Sequence, residues 1–191
     1  MRWNRPRPVQ ASPPQARRQL SRLRRLVGLY RGPLNADVRP HEMATQVWTD
    51  AQFSEMSWHD NHVHGMQLVE MEHGSGELIL DIDYIVEWIK GQDVYRFRIV
   101  PATLTFHGVT SLRFSLDYAT PTAAFGPFMI HGIERHQEQR DRYLARLWKI
   151  LISWPQGELA FEGAGFTQRA LGEAVQSERQ CLSQKQRSRA V

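Results

Sequence analysis

Between Gly76 and Lys90 the chain reads GELILDIDYIVEWIK. Leu78, Leu80, Ile82, Tyr84, Val86 and Trp88 take every second position, with Ile79, Asp81, Asp83, Ile85 and Glu87 between them. Side chains of a strand point alternately to its two faces, so this pattern predicts a strand with one apolar and one mixed face. A helical set (Leu78, Ile82, Ile85, Val86, Ile89) can also be drawn, but the full alternation and the β-branched content favour the strand. Upstream, HVHGMQLVEMEH runs through Gly74-Ser75-Gly76 into the same segment, which is a hairpin signature.

The period of two continues downstream. In VYRFRIVPATLTFHGV, Tyr95, Phe97 and Ile99 are apolar at odd positions and Leu104 and Phe106 at even ones. That switch, with Pro101 inside an apolar run, predicts a bulge or break at Val100-Pro101. A turn at His107-Gly108 is expected to lead into SLRFSLDY, with Leu112, Phe114, Leu116 and Tyr118 inward. Further strands are expected at about 127–135, from about 146 to 154, and after Pro155-Gln156-Gly157 in ELAFEGAGF. The fold class that follows is mainly β: a single antiparallel β-sandwich or half-open barrel of about seven or eight strands.

Charge divides the chain into three parts. Residues 1–36 hold nine Arg and no acid, and residues 179–191 hold Arg179, Lys185, Arg187 and Arg189 and no acid. The stretch between them carries eleven basic and twenty acidic residues, a balance of −9. The expected organisation is a basic Arg/Pro-rich arm (1–43), an antiparallel β domain (44–172) and a polar basic tail (173–191), frayed or weakly helical. Within the arm, residues 15–31 fit a helix whose surface is filled by Arg17, Arg18, Arg22, Arg24 and Arg25. Such a helix suits nucleic acid or an anionic membrane surface, and that contact is open to residues 1–42 alone. Met43 begins a natural-looking start, and Arg outnumbers Lys 21 to 3 as GC-rich coding would give, so residues 1–42 also read as an upstream extension.

No apolar run is long enough to span a membrane as a helix, and the first residues lack the apolar stretch of a secretory signal. The lone Cys181 cannot form an internal disulfide. The expected compartment is the cytoplasm. No phosphate-binding loop, dinucleotide fingerprint or nucleophile elbow occurs, and no cofactor is called for.

Two clusters are candidate sites. SWHDNHVHG brings His59, Asp60, Asn61, His62 and His64 together, and His62 with His64 would share a strand face. With a carboxylate that spacing suits a divalent metal or hydrolytic chemistry. A tight turn centred on Ser75 would set His62 opposite Trp88 and His64 opposite Val86, and would turn Asp81 and Asp83 to the other face. A one-residue slip would reverse that conclusion. No metal is therefore assigned. The second cluster, Asp81, Asp83 and Glu87, is expected to form an acidic strip on one face, with Trp58, Tyr84 and Trp88 in the core beneath it. A protein partner docking by charge complementarity suits this strip better than catalysis.

SWHDNHVHG, LDIDYIVEW, the PATLTFHGV run and a W-x-I strand before P-x-G-E-L-x-F together resemble a pattern of small uncharacterised bacterial proteins, over residues 56–170. In size, acidity and β content the folded domain is similar to immunity proteins of bacterial toxin systems. That resemblance implies a non-catalytic, protein-binding, immunity-like role.

Overall fold

The computed structural model describes residues 46–92, 94–119 and 126–190. The basic arm with its Arg17–Arg25 cluster lies outside these residues. Nine antiparallel strands form one sheet: β1 (Val47–Thr49), β2 (His62–Glu70), β3 (Gly76–Lys90), β4 (Tyr95–Leu116), β5 (Phe128–Gln139), β6 (Leu144–Trp154), β7 (Gly157–Glu162), β8 (Gly165–Ala170) and β9 (Val175–Ser177). A short helix, α1 (Gln184–Ala190), follows.

Hydrogen bonding runs β4-β3-β2-β5-β6-β7 and returns to β4, so the sheet closes on itself. Closure is narrow at one seam, where β2 and β5 share only the pairs His62–Met129 and Val63–Phe128. Of the two architectures anticipated, this is the barrel and not the sandwich, closed more fully than expected.

β4 organises the barrel. One edge pairs with β3 over most of its length, and the other takes β9, β8 and β7 in succession. The turn expected at His107-Gly108 is absent. Instead β4 continues, with local left-handed kinks at Gly108 (φ +61°) and Ser111 (φ +53°), while its partner changes from β8 to β7. The amide of Ala164 bonds the His107 carbonyl at 2.7 Å across that junction. Phe114, expected inward, lies past it and is 50% exposed.

The break expected at Val100-Pro101 is also absent. β4 keeps one parity: Val100, Ala102, Leu104 and Phe106 face the barrel interior, whereas Phe97 and Ile99 face out and are buried by the C-terminal segment. Both parities are apolar because both faces are covered there. Pro101 is tolerated in this central strand because its carbonyl side faces the gap between β8 and β9, where the Leu171 amide donates to it at 2.8 Å. A residue's N–H and C=O share one strand edge, so the missing donor falls in that gap.

Side chains fill the interior. Phe106, Trp148, Phe161 and Phe166 pack edge-to-face at centroid distances of 4.9–5.9 Å, with Phe106 and Phe166 tilted at 6.2 Å. Phe53, from the 3-10 turn Asp50–Glu55, and Trp58 close over them. Each such ring contributes about 2–3 kcal/mol by leaving water, and the edge-to-face geometry adds to that. Trp58 donates to Gln168 Oε1 at 2.8 Å, so its indole N–H is satisfied inside the core.

Candidate functional site

The β2–β3 hairpin positions the site, and its register differs from expectation. The loop is not a tight turn at Ser75. It spans Met71 to Ser75, contains the 3-10 turn Glu72–Gly74 with His73 and Gly74 at positive φ, and closes through the Met71 amide to the Ser75 carbonyl at 2.9 Å. Glu70 therefore pairs with Gly76 and Gly65 with Asp81. A bulge at His64 then shifts the register by one residue, so His62 pairs with Asp83 and Val63 with Ile82.

That bulge decides which side chains meet. Above it Met66 and Leu68 share the face of Leu80 and Leu78, and below it Val63 takes the inner position beside Ile82. His64, the extra residue, is released to the outer face, where its Nε2 lies 2.9 Å from Asp83 Oδ2. The predicted separation of the histidines from the aspartates is overturned.

Asp83 is 0% exposed. Its carboxylate accepts from the Leu182 amide at 2.7 Å, from His64 and from the Arg187 guanidinium. The other arm of Arg187 bonds Asp81. Burial pushes the Asp83 carboxyl up, but the His64 and Leu182 hydrogen bonds and the charges of His64 and Arg187 outweigh it and hold the group below the usual carboxylate range.

Glu87 does not belong to this constellation. A second bulge, at Val86, shifts the β3–β4 register so that Glu87 pairs with Arg98 and Trp88 with Phe97. Glu87 and Arg98 form an ion pair of 3.1 Å on the opposite face. Trp88 takes the outer position that unbroken alternation would give Glu87. It is 43% exposed, not in the core, and it packs on Phe97 (5.0 Å) and Tyr95 (6.1 Å). Trp58 and Tyr84 are buried as expected.

The histidine-rich cluster splits by role. Asn61 is buried and ties three elements: its amide meets the Trp58 carbonyl, its carbonyl accepts from Ile130, and its Oδ1 accepts from Ile85. Asp60, at φ +63°, accepts from Gln180 Nε2 at 2.7 Å and pairs with His59 Nδ1 at 3.1 Å, which raises the His59 pKa. His62 is lowered, chiefly by burial, while its Nδ1 lies 3.2 Å from the Asp60 carbonyl. His59 also stacks near His131 and Trp88, so an aromatic surface borders the acidic one.

Among the described residues no group of three His, Cys, Asp or Glu side chains is arranged to hold a metal ion. Cys181 sits beside the cluster, yet burial and the Asp83 charge push its thiol up. A nucleophilic cysteine needs the opposite shift.

Three residues the sequence did not single out complete the site: Gln180, Leu182 and Arg187, all in the segment expected to fray. Leu182 is buried in an outer pocket of Ile85, Phe97 and Ile99. Ser183 and Gln186 form reciprocal bonds at the start of α1. The S-x-x-Q spacing of that capping box was present in the sequence, and a lone leucine in a polar tail was a second signal.

No family model matches the chain, and no curated protein sequence matches it. No helix among the described residues is long and apolar enough to cross a membrane.

Proposed function

We propose that the chain is a non-catalytic protein-binding module, immunity-like in kind, whose outer β3–β4 face recognises a basic segment of a protein partner. One observation carries this reading: the face already grips a basic segment, with Arg187 forked between Asp81 and Asp83. Arginine suits this role because its planar fork matches carboxylates and stacks on aromatic rings. Exposed Trp88 and Tyr95 lie on the same face. The −9 balance between the two basic ends would speed the approach of a basic partner.

The test is affinity capture from a bacterial lysate on immobilised full-length chain, wild type against Asp81→Asn/Trp88→Ala. Asp83 is left intact because it is buried. A basic protein retained by wild type and reduced tenfold or more on the variant supports the reading. Equal retention on both removes it.

A further inference from the structure

We infer that residues 178–190 are a displaceable strap, an internal copy of the partner segment, which occupies the binding face until a competing segment replaces it. This rests on the protein-binding reading and gives the partner a chemistry: an apolar residue followed, five positions on and across a capped helical turn, by an arginine.

The contacts of the strap are those of a docked peptide. Leu182 supplies one apolar anchor in a pocket belonging wholly to β3, β4 and the start of β9. Arg187 supplies one charged anchor, 16% exposed, on Asp81 and Asp83. The Leu182 amide caps Asp83, and Gln180 reaches Asp60. The capping box at Ser183 and Gln186 sets the spacing between the two anchors from within the segment itself. The barrel interior takes nothing from the strap, because its core cluster is drawn from residues 58–170. At the end of the strap Ala190, itself buried, accepts from the Glu173 amide through its carbonyl at 3.1 Å, so the segment is held at both ends while its residues stay outside the barrel interior. Few anchors, the two principal ones (Leu182 and Arg187) on the outer β3–β4 face, are the mark of a segment that opens locally while the rest stays folded. An occupied face also lowers the apparent affinity of a partner by the fraction of time the strap is closed.

The experiment uses the full chain. Leu182→Asp/Arg187→Glu expels the strap in cis. A fluorescent peptide of residues 178–190 is then titrated under reducing conditions and followed by anisotropy. The strap account expects the folded variant to bind the peptide, wild type to bind it at least tenfold more weakly, and an Arg187→Ala peptide to lose at least tenfold on the variant. Three results would overturn it: a folded variant that ignores the peptide, indifference to the arginine, or a variant that no longer folds, since the segment would then be part of the fold. Peptide binding alongside lysate capture that is indifferent to Asp81→Asn/Trp88→Ala would instead leave the strap and remove the partner reading.

Discussion

His64 and Asp83 meet at 2.9 Å because one extra residue in β2 turns the histidine out of the barrel and onto the face of the carboxylate. Asp83 is then surrounded by His64, the Leu182 amide and Arg187, so a buried charge is fully hydrogen-bonded. Burial of an ion is tolerable only when its partners satisfy it in this way.

Arg187→Ala removes the charged anchor of the strap. Hydrogen bonds to charged groups are worth roughly 1.5–3 kcal/mol, so exchange of the Leu182 amide should accelerate by about tenfold or more. Amides of Ile82 and Leu104, in the barrel, should keep their protection. Hydrogen exchange with mass spectrometry reads both at once, and equal acceleration everywhere would mean that strap and barrel unfold together.

Acid should destabilise the fold in two windows. His62 has a lowered pKa in the folded chain, so its contribution is complete above its ordinary value of about 6.5 and fades as pH falls toward the lower folded value. Asp83 also has a lowered pKa, so its contribution is complete above the ordinary carboxylate range and is lost as pH falls through the depressed value. Thermal melts from about pH 8 down to about pH 2 should show both declines, the second beginning only below the ordinary Asp value of about 3.9. His62→Gln should flatten the first and Asp83→Asn the second.

The alternation in β3 made the strand and its inner face readable, and the Pro155-Gln156-Gly157 hairpin was equally plain. The site was harder to read for two local reasons. Each β-bulge, at His64 and at Val86, adds one residue with no distinctive sequence mark, and one residue exchanges the two faces of a strand. The first bulge joined His64 to Asp83, and the second removed Glu87 and exposed Trp88. Burial on the outer face near Ile99 came from residues some eighty positions away, which periodicity within β4 cannot register.

Two tryptophans, Trp148 in β6 and Trp88 in β3, should separate core from face. Trp148 is 1% exposed and stacks on Phe53, Phe106 and Phe166, so Trp148→Ala should cost about 3–5 kcal/mol in urea unfolding. Trp88→Ala, on the exposed surface, should cost below about 1 kcal/mol. Comparable losses would contradict the assignment of Trp88 to an open face.

Gly157 sits where β7 crosses the end of β4. A Cβ there would lie 2.1 Å from the Ser115 carbonyl oxygen and 2.8 Å from the Leu116 side chain. Because the obstacle is backbone, Gly157→Ala should destabilise by about 1–3 kcal/mol, measured by the same unfolding titration. An unchanged midpoint would show that the β4–β7 approach is looser than described.

The central claim is recognition of a basic protein segment by the outer face of β3 and β4. Quantitative capture on full-length wild type and on Asp81→Asn/Trp88→Ala tests it most directly, because weakening the strap alone would raise retention rather than lower it. The account predicts at least a tenfold loss of a retained basic protein from a variant that is still folded. The same proteins retained at the same levels by both chains would contradict it.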